Sequence, residues 1–254
     1  MCTIVMLRRP GHAWPLLIAA NRDEMADRPW APPGRHWPDR PDVVAGHDLT
    51  AGGSWLGINE HGVVAGILNR PGTLGPERGK RSRGELVLEA LDHADAMAAA
   101  AALIQLDTAA YRPFNLVIAD DRDAYWLRHA DTGRIEELDV PEGVSMMTAN
   151  DLNDLSSPRI CRYLPRFEAA KVPDPDKGDW GEWQNLLASR AYDPKVGPRG
   201  ALTVVTDSPY GTTSSSLIAV PEFVPADVGL PPRQPIWLFA AGRPDEAPFQ
   251  PVQF

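Results

Sequence analysis

The sequence predicts an α+β protein built of antiparallel sheets covered by helices. Apolar runs of strand length come in blocks joined by short turns, where a doubly wound parallel fold would alternate strands and helices more strictly. Helical periodicity is confined to three stretches. Proline makes up 26 of 254 residues, about twice the usual 5% share, which limits helix further. No repeat or internal boundary divides the chain, so a single domain over residues 1–254 is expected.

Thr3–Leu7 and Leu16–Ala20 bracket Pro10-Gly11, a strand–turn–strand signature. Residues 26–42, crowded with Pro, Trp and Arg, read as an ordered surface loop. Trp55–Asn59 and Val63–Leu68 flank Glu60-His61-Gly62 as a second hairpin. Ser82 and Glu85 form an S-x-x-E capping box, after which Leu86, Ala90, Leu91, Ala94, Met97, Ala98 and Ala101 recur with helical spacing. Asn115–Ala119, Ala124–Arg128 and Arg134–Leu138 read as three consecutive strands, and Ser145–Thr148 as a short one ending at Ala149-Asn150. Pro158 opens a helix to Ala170, with Pro in its first turn, and Trp180–Ser189 is a further helix. Leu202–Thr206, Ser214–Val220 and Pro235–Ala241 close the chain as strands.

The formal charge is −9 and the pI about 5.1. With no basic stripe to neutralise phosphates, nucleic-acid binding is not expected. No run of about 18 apolar residues exists, so no membrane-spanning helix is expected. Arg8-Arg9 and the apolar Trp14–Ala20 imitate an export signal, but Pro15 interrupts the run and Asp23 and Glu24 follow. Two cysteines make no disulfide framework, and the expected location is the cytoplasm.

Cys2 is the most informative residue. Removal of Met1 leaves its thiol beside a free α-amine, which titrates near 8 and can take the thiol proton; the alternative is a cysteine simply buried in the first strand. Cys161, on the apolar side of its helix, is expected to be packing. Asn21-Arg22-Asp23-Glu24 directly follow an apolar strand; in an extended backbone Asn21 and Asp23 share one face and Arg22 the other. From spacing alone the tetrapeptide reads as a solvated turn with one weak Arg–Asp pair. Gly52-Gly53 reads as a tight turn, since no G-x-x-x-x-G-K follows. The six histidines show no ligand spacing, and no metal site is expected. Trp14, Trp30, Trp37 and Trp55 read as core, with a flat apolar ligand wall as the alternative.

Met1-Cys2-Thr3, Ala20-Asn21-Arg22-Asp23-Glu24 and Ala51–Asn59 with Gly62 closely resemble the NRDE family, also called the transport and Golgi organisation family. Leu68-Asn69-Arg70, Thr148-Ala149-Asn150 and Tyr210-Gly211-Thr212 continue the match in order. The resemblance implies a four-layer αββα sandwich of the N-terminal-nucleophile hydrolase type. A more distant similarity is to choloylglycine hydrolase and penicillin V acylase. Those hydrolases space their Arg and Asp three apart where Arg22 and Asp23 are adjacent, and Thr213 stands where the NRDE family usually has Arg.

From this resemblance Cys2 is the nucleophile and Asp23 the carboxylate that holds the α-amine. With strand alternation it also implies that Asn21 and Asp23 point into the cleft of the Cys2 sulfur. Asn69, through its backbone N–H, and Asn150, through its amide, line the oxyanion site. Asn21, Arg22 and Trp55 are the substrate-binding candidates. The implied activity is hydrolysis of a small-molecule amide, a non-peptide C–N bond, or a similar acyl group. The alternative is a carrier of haem or another apolar ligand on the same fold. No cofactor is required in the first case; haem is cargo in the second.

Overall fold

The computed structural model describes residues 2–224 and 233–254. In chain order the strands are β1 (Thr3–Arg8), β2 (Leu16–Met25), β3 (Trp30–Gly34), β4 (Val43–Asp48), β5 (Leu56–Asn59) and β6 (Val64–Asn69). Two helices, α1 (Glu85–Leu91) and α2 (Ala96–Leu103), precede β7 (Phe114–Ala119), β8 (Ala124–His129), β9 (Ile135–Asp139) and β10 (Gly143–Met147). Helices α3 (Pro158–Ala169) and α4 (Gly181–Leu187) then lead to β11 (Tyr210–Val220), β12 (Ile236–Ala240) and β13 (Gln250–Pro251).

The strands form two antiparallel sheets, β10-β1-β2-β11-β12-β13 and β3-β4-β5-β6-β7-β8-β9. Strand alternation divides the core into three seams. Ile4, Met6, Ile18, Val64, Val117 and Ile218 fill the space between the sheets. Val5, Leu17 and Ala19 face the opposite way and pack on Ile160, Tyr163 and Trp183 of α3 and α4. Ala45, Ala65 and Leu116 do the same against Leu86, Leu91 and Leu103 of α1 and α2. The result is the expected αββα sandwich. No helix among the described residues is long and apolar enough to cross a membrane.

Several local expectations need correction. The stretch 26–42 contains strand β3, which completes the edge of the second sheet beside β4. The helix expected through Ala101 is two helices, because Asp95 caps α2 by accepting from the Ala98 N–H. That break shifts the helical phase. Met97, Ala98 and Ala101 are exposed, and Ala96, Ala99, Ala100 and Leu103 are buried instead. The capping box is not formed: Gly84 is the N-cap, the Ser82 hydroxyl accepts from Gly84 N–H, and Glu85 pairs with Arg81. Leu202–Thr206 is irregular, with Val204 held to Thr212 through both its N–H and its carbonyl. Cys161 is exposed, since Ile160, Tyr163, Leu164 and Phe167 form the buried stripe of α3.

Gly52, at φ +76°, makes the expected turn, donating to Asp48 O at 2.8 Å. Gly53 next to it lies against the backbone of Gly84, where an added Cβ would come within 2.4 Å of a carbonyl carbon. Gly84, the N-cap of α1, thereby lines the same cleft as Trp55.

Candidate functional site

β2 runs on through Asn21-Arg22-Asp23-Glu24 instead of ending before them. The register Thr3↔Asn21 and Ile4↔Ala20 lays that tetrapeptide beside the first residues of the chain. The alternation that sends Leu16, Ile18 and Ala20 between the sheets continues to Arg22, and the one that sends Ile4 and Met6 there places Cys2 on the same side. Cys2 and Arg22 therefore share a cleft between the sheets.

Asn21 and Asp23 share a face, as expected, but it is the helix face of the sheet. The Asn21 amide donates to the carbonyls of Leu187 and Leu202, both at 3.0 Å, and its Oδ1 accepts from Ser215 at 2.6 Å. Asn21 borders the small cavity at Cys2 as a residue, but strand parity sends its side chain, and that of Asp23, to the α3–α4 layer, which corrects the expectation that both point into the Cys2 cleft. The backbone of Asp23 reaches the thiol, with Cys2 Sγ 3.7 Å from Asp23 O.

The Asp23 carboxylate is fully buried and accepts from Arg159 Nη1 at 3.0 Å and Thr212 Oγ1 at 2.6 Å. Arg159, also buried, donates to Thr3 Oγ1 at 2.7 Å and to Arg199 O at 2.8 Å. This network ties β1, β2, β11 and α3 together beneath the chain start. Sequence reasoning missed Arg159 and Thr212. The available signal was that Arg159 lies four residues before Tyr163, inside the apolar stripe of α3.

Two cavities meet at Cys2. An inner one of about 20 Å³, bounded by Ile4, Ala20, Arg22, Trp55 and Leu56, has room for one water. The outer one, about 380 Å³, is lined by Cys2, Arg22, Trp55, Ile67 and Asn69 and continues past Arg81 and Arg83. Asn150 lines neither cavity. Its amide donates to Asp154 at 3.3 Å, and its carbonyl accepts from Asn115 at 2.8 Å. Asn115, a further residue missed from sequence, also takes Arg70 and Trp126 as donors, at 2.6 and 3.1 Å, and so fixes the 148–150 segment.

Of the four tryptophans, Trp55 alone lines the cleft; it meets Trp30 edge-on at 5.9 Å, and Trp30 meets Phe239 at the same distance. Trp14 is buried against α3 and α4, and Trp37 donates to Gly52 O at 3.1 Å. Thr213 sits at a bulge of β11, between the pairs Thr212↔Asp23 and Ser214↔Arg22, and its hydroxyl accepts from Arg22 Nη1 at 3.1 Å.

Burial raises the Cys2 thiol pKa above its ordinary value, the positive N-terminus pulls it back, and Asp23 pushes it up again. Arg22 favours the thiolate to a smaller extent. The same burial lowers the Arg22 guanidinium, against support from Cys2, Glu24 and Asp48. The balance favours the protonated thiol.

Two antiparallel sheets between helical layers, with a cysteine at the head of the first strand opening on the inter-sheet cleft, have the fold of the N-terminal-nucleophile hydrolases. The solved structures agree on the fold. An N-acylethanolamine-hydrolyzing acid amidase ortholog from Caenorhabditis elegans superimposes with TM-score 0.55 over 85% of this chain and 92% of its own, at 12% identity. Penicillin V acylase from Agrobacterium tumefaciens gives 0.52 over 95% and 83%, at 14% identity, and a conjugated bile acid hydrolase from Clostridium perfringens gives 0.53 over 100% and 97%, at 12%. The chain belongs to the family described as Transport and Golgi organisation 2, which matches residues 1–222. Curated homologues of that name from Bos taurus and Homo sapiens are 35% and 32% identical over 114 residues, which is 43% of this chain and 40% of theirs.

Proposed function

We propose that the protein is an N-terminal cysteine amidohydrolase acting on a non-peptide C–N bond or similar acyl group. The observation that carries this reading is the position of Cys2 Sγ, at the junction of a water-sized cavity and an open cleft beside Arg22 and Trp55. The names of the three fold neighbours, all hydrolases or acylases, support it.

After Met1 is removed, the α-amine of Cys2 takes the thiol proton and the sulfur attacks the substrate carbonyl carbon. The C–N bond then breaks, the amine leaves with that proton, and water hydrolyses the thioester. Charge developing on the carbonyl oxygen is met by the Asn69 backbone N–H; the Asn150 amide, which lines neither cavity here, joins it only by leaving Asp154 and turning into the cleft. Asp23, locked by Arg159 and Thr212, supplies the negative charge that holds the α-amine. Arg22 and Trp55 form the substrate wall. Asn21 belongs to the support beneath it.

The test is the N-terminus itself. A tag retained before Cys2 turns the amine into an amide, which accepts no proton, and hydrolysis should fall by about 10²–10⁴-fold. The same tag after Phe254 should change nothing. Equal activity of the two forms sinks the mechanism, as does the lack of any acyl adduct on Cys2 of the tag-free chain. A second reading, a carrier of haem or another apolar ligand, is favoured by the Cys2 sulfur and Trp55 indole facing the same 380 Å³ cleft. Haemin titration checks it: a saturable spectral change lost in Cys2→Ser supports thiolate ligation.

A further inference from the structure

The outer cleft is basic although the chain carries a net charge of −9. Six basic side chains and three carboxylates line it. Two of those carboxylates are already neutralised: Asp48 by Arg28 at 2.8 Å and Glu77 by Arg112 at 3.3 Å. The third, Glu24, accepts from the Met25 N–H. Arg81 is taken by Glu85 and Glu89.

Three cations remain with no carboxylate at ion-pair distance among the described residues: Arg22, Lys80 and Arg83. Lys80 donates to Ala109 O at 2.7 Å. Arg83 is anchored at one end, its Nη1 donating to Thr73 Oγ1 at 2.9 Å and Pro113 O at 3.0 Å. Among the described residues its Nε and Nη2 make no hydrogen bond, and the side chain lines the cleft. Burial, with Arg112 nearby, pulls its pKa down to about 10 against the attraction of the Glu24 carboxylate, so it is still charged at neutral pH but at an energetic cost. A half-buried guanidinium fixed on one edge and bare on the other is the arrangement that an oxyanion completes.

We propose that the substrate carries an oxyanion group, a carboxylate or a phosphate, which Arg83 and Lys80 hold at the outer end of the cleft while the apolar part lies along Trp55 and Ile67 toward Cys2. This rests on the reading of the cleft as the place where Cys2 meets its substrate. It adds the charge of that substrate and the residues that select it. Arg22, at the inner end beside the thiol, favours the same sign of charge.

The experiment uses the full chain with Cys2→Ser, so that no thiol chemistry is needed. Octanoate, octyl phosphate, octanamide and octylamine share one tail and differ in the head group. Octanoate or octyl phosphate should bind by calorimetry and raise the melting temperature, with affinity falling as salt rises; the tighter of the two identifies the group. Octanamide and octylamine should bind at least about tenfold more weakly, the loss of one charge-assisted contact. Arg83→Gln should reduce the anion affinity by a similar factor and leave octanamide unchanged. Should that variant fail to fold, selectivity in the parent chain decides. Octanamide binding as tightly as octanoate, or an anion affinity indifferent to Arg83→Gln, overturns the proposal. Either result leaves the N-terminal tag experiment untouched, so the two readings fail separately.

Discussion

The Arg22 guanidinium carbon lies 4.4 Å from the centre of the Trp55 ring, on the wall of the cleft that holds the Cys2 thiol. A cation over an indole face is attracted by the ring quadrupole, by about 0.5–2 kcal/mol depending on desolvation. Here the contact also fixes the direction of a buried positive charge. Arg22 is held from one side by Trp55 and from the other by the Thr213 hydroxyl.

The first prediction follows from that charge. Burial disfavours the Cys2 thiolate, so iodoacetamide labelling should still be climbing above the ordinary thiol value of about 8.5. Arg22→Gln removes a cation that favours the thiolate, so the midpoint should move further up. The measurement is the labelling rate against pH in a Cys161→Ser background, where Cys2 is the remaining thiol. A midpoint that stays put or falls refutes the placement of Arg22 beside the sulfur.

Gly46 underlies the same contact. A Cβ built there would lie 2.3 Å from Trp55 Cζ2. Gly46→Ala should displace the indole and cost about 1–3 kcal/mol, as overpacking does. Thermal unfolding together with Trp fluorescence reads both effects. An alanine accepted with unchanged Tm and emission contradicts the close approach.

Arg159 and Asp23 form a fully buried pair, and removing one partner of such a pair typically costs about 3–5 kcal/mol. Arg159→Leu should lower the Tm sharply, since it leaves the Asp23 carboxylate buried and takes a donor from Thr3. Asp23→Asn combined with Arg159→Leu should recover part of the loss. Strict additivity of the two changes speaks against direct coupling.

Asn150 separates chemistry from turn formation. Its amide makes one 3.3 Å bond to Asp154, while the segment is held chiefly by Asn115. Asn150→Ala should therefore leave the Tm within a few degrees and lower turnover about a hundredfold if the amide meets the oxyanion. A falling Tm with intact turnover makes Asn150 a turn residue alone.

Much of this protein was legible from local pattern. The hairpins around Pro10-Gly11 and His61-Gly62, the Pro158 helix start and the strands of the 114–139 block follow from side-chain period and turn chemistry, which act within a few residues. So does the alternation of Asn21, Arg22 and Asp23. The motifs at Cys2, Asn21–Glu24 and Ala51–Asn59 also pointed to the four-layer fold. Alternation, however, states only that neighbours point opposite ways. Which face looks into the cleft depends on the register of β2 against β1 and on which layer covers each side, and the covering layer is settled by packing between residues more than a hundred positions apart, such as Asp23 and Arg159. Asp23 accordingly faces Arg159, and Arg22 faces Cys2. The buried phase of the alanine-rich helix after Asp95 has the same origin. Both phases of Ala96–Leu103 read as apolar, and only the sheet beneath selects the one that is buried.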